Sequence, residues 1–278
     1  MYTSFLASDS GKVIGEATSY EANLEYNVYE SYWETVHQVP LHDLRKMTDR
    51  PTLNEYGFTY VSGRDVKSIK RLGDFSGDQK KALTKDSVKI VEELINPTLA
   101  ISYSSQFRNP MMKYLGEPNP NLHSDLSPEG AQKTISWVEK RFLESEDPEE
   151  KAFGQLLSTK AYNVVILNVW RPLSKVEADP LGLCRWTSVA PSDRVDSKIV
   201  PDRAGNALQA WNYGDHQEWF YLKEQEPHEA HVFIQHDGRA NDGHGMSVPH
   251  ASFVLRENED KPKRKSFECR VMALFPKK

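Results

Sequence analysis

The feature that narrows the fold most is a series of short strand-like runs in the second half of the chain. Tyr162 to Val169 is β-branched and apolar, and Trp170-Arg171-Pro172 closes it. Shorter runs follow at Leu181 to Trp186 (opened by Asp179-Pro180), Asn206 to Trp211, Glu218 to Leu222, Ala230 to Gln235, Ala251 to Leu255 and Ser266 to Phe275. Gly, Asp, Asn and Pro turns separate them. Short strands at such spacing predict a sandwich or barrel.

The first half carries the helices. Val88, Val91, Leu94 and Ile95 recur at helical spacing after Asp86 and stop at Asn96-Pro97. Ser127 reads as an N-cap, with Pro128 at the first helical position, Glu129 in the first turn, and Ala131, Ile135, Val138 and Phe142 on the buried face. Glu149 to Leu157 predicts a further short helix, and Tyr56 to Ser62 and Leu99 to Tyr103 predict strands. Asp74 to Asp78, Arg108 to Pro120 and Pro191 to Ala204 read as loops, with His236-Asp237-Gly238 as a turn. Residues 1–55 show little period; Tyr20, Leu24, Tyr26, Val28 and Tyr29 suit a short strand or an irregular wrap. No repeat or linker divides the chain. The expectation is one domain over 1–278, with a helical or irregular N-terminal part to about residue 120 and a β core from about 98 to 278.

Bulk properties exclude several classes. A net charge of −5 argues against a nucleic-acid groove, which would show a basic stripe. No apolar run is long enough to span a bilayer, and Met1 to Gly15 lacks the basic and apolar regions of a secretory signal, so a cytoplasmic setting without membrane association is expected. Cys184 and Cys269 are far apart in sequence, and such a setting predicts reduced thiols. Oligomeric state is not readable.

On this scaffold one stretch suggests chemistry. In Asn121-Leu122-His123-Ser124-Asp125 an imidazole and a carboxylate stand two residues apart, and in extended chain both point to one side. They supply two of the three groups of the two-His-one-carboxylate face that holds non-heme Fe(II) with open coordination positions. Six of the nine histidines lie between 216 and 250: His216, His228, His231, His236, His244 and His250. His228 and His231 flank a strand start in acidic surroundings, and His244 sits between glycines, so structural or surface roles are expected. His250 opens an apolar strand, and rigid elements place ligands well. Fourteen residues on, Arg264 and Ser266 share one side of the last strand. A guanidinium beside a hydroxyl is a receptor for a carboxylate.

The ordered set His123-x-Asp125, His250, Arg264-x-Ser266 resembles the Fe(II)- and 2-oxoglutarate-dependent oxygenases. More narrowly it is similar to the group that includes the fungal gibberellin desaturase, the aspergillic-acid-type hydroxylase/desaturase and a small component of bacterial cephamycin methoxylation. The matching stretches are His123-Ser-Asp125, Asn168-Val-Trp-Arg-Pro172, Asp179-Pro-Leu181, Trp219-Phe-Tyr221, Pro227-His-Glu229, His250-Ala-Ser-Phe253 and Arg264-Lys-Ser-Phe-Glu-Cys-Arg270. They cover roughly residues 100–275, and Asn-x-Trp-Arg-Pro is the most specific. Where the family often has a histidine two residues before the Trp219 block, this chain has Gln217, with His216 beside it.

The resemblance implies a mainly β fold with flanking helices, the double-stranded β-helix or jelly roll. It implies Fe(II) held by His123, Asp125 and His250, 2-oxoglutarate as co-substrate with Arg264 and Ser266 on its far carboxylate, O2 as oxidant, and a small-molecule secondary metabolite as substrate. The outcome is hydroxylation, desaturation or cyclisation, with release of succinate and CO2. Arg171 and Arg270 are candidates for a second anion contact, and Trp170, Trp219, Tyr221 and Arg108 for the substrate pocket. Two rivals remain: a jelly-roll metalloenzyme that uses no 2-oxoglutarate, and a non-catalytic ligand-binding barrel.

Overall fold

The fold was obtained as a computed structural model. It describes residues 40–66, 75–111, 122–195, 208–242, 244–255 and 260–277, together with short strands nearer the N-terminus. The strands are β1 (Phe5–Ala7), β2 (Thr18–Tyr20), β3 (Asn23–Leu24), β4 (Asn27–Val28), β5 (Tyr32–Glu34), β6 (Leu41–Asp43), β7 (Phe58–Val61), β8 (Leu99–Arg108), β9 (His123–Ser124), β10 (Tyr162–Pro172), β11 (Leu181–Cys184), β12 (Gln209–Ala210), β13 (Trp219–Tyr221), β14 (Ala230–Asp237), β15 (His250–Leu255) and β16 (Ser266–Pro276). The helices are α1 (Leu53–Tyr56), α2 (Gly77–Ile95), α3 (Pro128–Leu143) and α4 (Pro148–Ser158).

Two sheets make the β core. The major sheet has the order β7-β14-β10-β16-β8. The minor sheet runs β12-β9-β15-β11-β13-β6, with β1 added beside β15. They form the jelly roll expected from the sequence, but as two sheets and not a closed barrel. Alternation along β10 decides what each face does. Val165, Leu167 and Val169 face the apolar stripe of α2, Leu83, Ile90 and Val91. On the opposite face Ile166, with Met272 and Leu274 of β16, meets Val138, Phe142, Phe153 and Leu157 of α3 and α4. Further along that second face the apolar residues give way to Asn168, Trp170, Glu268 and Arg270, and the site begins there.

Local signals explain the element ends. Ser127 caps α3 by accepting from the Gly130 N–H, and Pro128 sits at the first helical position as expected. Asp147 caps α4 in the same manner. Helix α2 starts earlier than the sequence reading allowed: Ser76 caps it, so Gly77 and Asp78 are its first turn and not a loop. β8 runs on through Arg108, and the strand expected from Tyr56 starts at Phe58 because Tyr56 ends α1, with Gly57 at φ +79° turning the chain into β7. His236 and Asp237 remain in β14, with the turn after them. Of the remaining expectations, Tyr26, Tyr29, Asp74, the loop residues 112–121 and 196–204, and Asn206 lie outside the described residues. Both cysteines are free and buried, Cys184 on the minor sheet and Cys269 against α2.

Candidate metal centre

β9 is only two residues long, and its pairing places the first ligand. His123 lies opposite Ala210 on one side and His250 on the other, so two imidazoles stand side by side across adjacent strands, ring centroids 4.4 Å apart. Ser124 points the opposite way; its hydroxyl donates to the Ser247 carbonyl at 2.7 Å and accepts from Trp211 Nε1 at 2.8 Å. Asp125 turns back beside His123, and its backbone N–H donates to Gln235 Oε1 at 3.1 Å. The three side chains are buried and offer ligand atoms within 4.8 Å of one another. Asp125 Oδ1 lies 3.8 Å from His123 Nε2, and Oδ2 lies 3.9 Å from His250 Nε2.

The surroundings prepare these groups as ligands. His250 Nδ1 is 3.0 Å from the Val248 carbonyl oxygen, which only accepts. Nδ1 therefore carries the hydrogen and Nε2 presents its lone pair, as a metal-binding histidine requires. Burial alone would raise the Asp125 carboxyl, but the Arg270 guanidinium, joined by His250 and His123, holds it well below the usual carboxylate range. Arg270 lies 3.0 Å from Asp125 Oδ1 and 3.1 Å from Glu268 Oε1. Burial works to lower its own pKa, and the two carboxylates outweigh that and raise it. Asn168 Nδ2 donates to Asp125 Oδ2 at 3.1 Å. Two imidazoles, that of His250 with its Nε2 lone pair free, and one charged carboxylate fit Fe(II), which takes imidazole and carboxylate ligands together.

At the start of β16 lies a second group. Arg264 is buried, donates to the Asp179 carbonyl oxygen and to Ser266 Oγ (3.2 Å), and stacks on Trp170 with Cζ 4.6 Å from the ring centroid. No carboxylate among the described residues ion-pairs with it, and burial pushes its guanidinium down from the ordinary value. Arg108 stands opposite Ser266 and reaches Glu268 at 3.5 Å. Arg264, Ser266, Glu268 and Arg270 thus line one edge of the site at the period-two spacing of a strand.

Three expected residues fall elsewhere. Arg171 lies on the other face of β10, where it ion-pairs with Asp86 of α2 and donates to the Arg64 carbonyl oxygen. It is not in the site. Trp219 and Tyr221 point to the outer face of the minor sheet and pack with Leu122, Cys184 and Phe253; Phe220 between them takes the inner face. Trp170 does share the inner face. Sequence reading missed Asn168, Gln235 and Glu268 as site residues. Alternation around Trp170 and Arg270 was the signal that would have found Asn168 and Glu268. His231, expected in a solvated setting, is fully buried: it stands opposite Trp170, and neither ring nitrogen has a hydrogen-bond partner among the described residues. Gln217 and His216 both reach Asp193 Oδ2 at 2.9 Å, so the residues at the family's variable position serve a loop and not the metal group.

A jelly roll with a buried His-Asp-His group on two neighbouring strands and the turn after one of them defines the class, and the comparisons with known proteins agree. The family model described as "YDMC: Oxidoreductase/YMDC permease-like domain" matches residues 4–274, and the chain belongs to that family. Among curated relatives, alpha-ketoglutarate-dependent dioxygenase phiK of a fungal species is 29% identical over 160 residues, 57% of this chain and 53% of the relative. The chain thus spans about half the length of that relative. Alpha-ketoglutarate-dependent dioxygenase tstK of Talaromyces stipitatus is 26% identical over 252 residues, 85% of this chain and 84% of the relative. Among solved structures, the iron and alpha-ketoglutarate-dependent endoperoxidase NvfI superposes with a TM-score of 0.70 at 20% identity, covering 100% of this chain and 98% of that one, which establishes the shared fold.

Proposed function

We propose that the chain is a non-heme Fe(II)- and 2-oxoglutarate-dependent oxygenase, a single oxygenase domain over residues 1–278 that oxidises a small-molecule secondary metabolite by hydroxylation, desaturation or cyclisation and releases succinate and CO2. The observation that carries this reading is the convergence of His123, Asp125 and His250, drawn from β9, the turn after it and β15, with their ligand atoms within 4.8 Å. The relatives named as alpha-ketoglutarate-dependent dioxygenases support it.

The roles follow from the geometry. His123, Asp125 and His250 hold Fe(II), which when bound activates O2 with electrons drawn from 2-oxoglutarate. Arg264 and Ser266 receive the far carboxylate of 2-oxoglutarate: a buried cation that ion-pairs with no carboxylate among the described residues is a receptor for one. Trp170 supplies the flat wall against which Arg264 is fixed. Arg270 keeps Asp125 ionised and is engaged by Asp125 and Glu268; any contact it makes with the co-substrate is secondary to these ion pairs. Arg108, at the edge of the group and part-exposed, is placed to meet a polar group of the substrate. The buried walls exclude water from the reacting centre. Among the described residues no helix is long and apolar enough to cross a membrane.

The test is anaerobic addition of Fe(II) and then 2-oxoglutarate, followed by visible absorption. The expected result is the charge-transfer band of the chelate, with succinate formed once O2 and a substrate are supplied. Iron bound without a band would favour a metalloenzyme that uses no 2-oxoglutarate. No iron bound would favour a ligand-binding fold.

A further inference from the structure

The Asn168-Val-Trp-Arg-Pro172 run is accounted for above except at its first residue. Trp170 carries Arg264, and Arg171 ties β10 to α2. Asn168 lies two residues before Trp170 on the same face, opposite Arg270 of β16 and Phe233 of β14. It is 1% exposed. Its Nδ2 donates to Asp125 Oδ2 at 3.1 Å, while its Oδ1 has no hydrogen-bond partner among the described residues. A buried carboxamide with half its capacity unmet costs more desolvation than an apolar side chain of the same volume. Packing alone therefore does not favour asparagine here.

What the Nδ2 contact does follows from the neighbours of Asp125. Its backbone N–H is fixed by Gln235, which sets where the side chain starts. Arg270 takes Oδ1. One cation on one oxygen leaves the carboxylate free to swing about the Cβ–Cγ bond, because a guanidinium accepts several approach angles. The second contact, from Asn168 on Oδ2, removes that freedom and leaves the carboxylate edge turned toward the Nε2 atoms of both histidines.

We propose that Asn168 is a positioning residue of the metal centre: it fixes the rotation of the Asp125 carboxylate so that three ligand atoms face one divalent cation. The proposal rests on the metal-site reading above. It also specifies the donor needed at position 168: a neutral N–H, because a carboxylate there would repel Asp125 and an alkyl group would release it.

The test measures Mn(II) binding by calorimetry on the whole chain, with thermal unfolding of each variant in the absence of metal. Asn168→Leu is expected to weaken Mn(II) binding on the order of 10- to 100-fold, the usual cost of losing a contact to a metal ligand, while its metal-free unfolding temperature stays equal to or above the wild-type value. Asn168→Asp, of the same shape, is expected to weaken Mn(II) at least as much. His250→Ala serves as the reference. If His250→Ala loses Mn(II) and both Asn168 variants bind it as wild type does, Asn168 positions nothing. The inference is equally overturned if metal affinity falls only in step with metal-free stability, since that is the behaviour of a packing residue. If His250→Ala binds Mn(II) as wild type does, the metal centre itself is misplaced. Should Asn168→Leu not fold, the Asp variant decides by the same comparison.

Discussion

Strand β16 and the turn before it carry two arginines on one face, six residues apart, Arg264 buried and Arg270 half-buried, and their electrostatic circumstances are opposite. Arg270 lies against two carboxylates, Asp125 and Glu268. Arg264 lies against a carbonyl oxygen, a hydroxyl and an indole face, and ion-pairs with no carboxylate among the described residues. A guanidinium whose charge is met inside the protein is part of the framework. One taken out of water without a counter-ion costs stability, and that cost is recovered when an anion arrives. The sequence makes Arg264 the carboxylate receptor and Arg270 a candidate for a second anion contact; the ion pairs instead engage Arg270 with Asp125 and Glu268, at the metal end, while on the proposed reading Arg264 is the anion receptor, at the anion end.

The sharpest break between the two ends comes from His250→Ala. It removes one of three ligands from the metal end and nothing from the anion end. Stoichiometric Fe(II) or Mn(II) binding should be abolished, while metal-free stability changes little. Metal content after anaerobic loading measures it, and retention of a full equivalent would show that the group does not hold an ion.

Next in size is Arg270→Leu. It takes the arginine from buried Asp125 and leaves Glu268 with Arg108 alone, and removing one partner of a buried ion pair costs about 3–5 kcal/mol. Chemical denaturation at neutral pH should show a loss of that order. The sign of its pH dependence is fixed by Asp125. The folded carboxyl titrates below its ordinary value of 3.8, so the stability it contributes is present above that pH and is lost as pH falls through the lower folded value. The gap between wild type and Arg270→Leu should therefore be widest near neutrality and close as the pH drops below about 4. A gap of constant size would show that Arg270 stabilises by packing and not by charge.

These residues also show how far the sequence could be read. The N-cap at Ser127 and the strand runs of the second half were legible because period and turn chemistry are local; the jelly roll came from the family resemblance. Period-two alternation on β16 predicted that Arg264 and Ser266 share a face, and it extends to Glu268 and Arg270. The same rule separates Trp170 from Arg171 and Phe220 from its two neighbours, so proposing adjacent residues for one pocket contradicted it. What no local rule supplies is which internal charge meets which. That Arg171 finds Asp86 on a helix 85 residues earlier, and that Asp125 meets Arg270, depend on how the layers stack. The start of α2 was missed for a different reason: Ser76-Gly77-Asp78 is also a good turn sequence, and the burial of Leu83 and Ile90 that selects helix is tertiary.

Arg264→Leu sharpens the contrast from the other side. It removes a buried charge that ion-pairs with no carboxylate among the described residues, so the protein without co-substrate should be as stable as wild type or more so, the reverse of Arg270→Leu. Affinity for 2-oxoglutarate, read from titration of the charge-transfer band, should fall by about 2–5 kcal/mol. Unchanged affinity would transfer the anchor to another cation of the group, with Arg108 the remaining candidate on that face.

The smallest effect concerns His231, which stands opposite Trp170 in the interior between the same two sheets. Burial drives its pKa down to about 3, with Glu229 opposing and Arg264 and Arg45 adding to the depression. The folded protein keeps this imidazole neutral at pH values where the unfolded chain, titrating near the ordinary 6.5, takes up a proton. Between those two values the unfolded state binds more protons, so stability rises with pH and is lost on acidification, by about 1.4 kcal/mol per pH unit for one such group. His231→Phe fills the site without a titrating group. Its stability relative to wild type should climb as the pH falls from 6.5 to 5, by about 2 kcal/mol across that range, while metal and 2-oxoglutarate binding at neutral pH stay where they were. Parallel stability curves for the two proteins over that interval would mean that the imidazole takes up its proton in the folded state, and that the interior beside Trp170 is more polar than its burial implies.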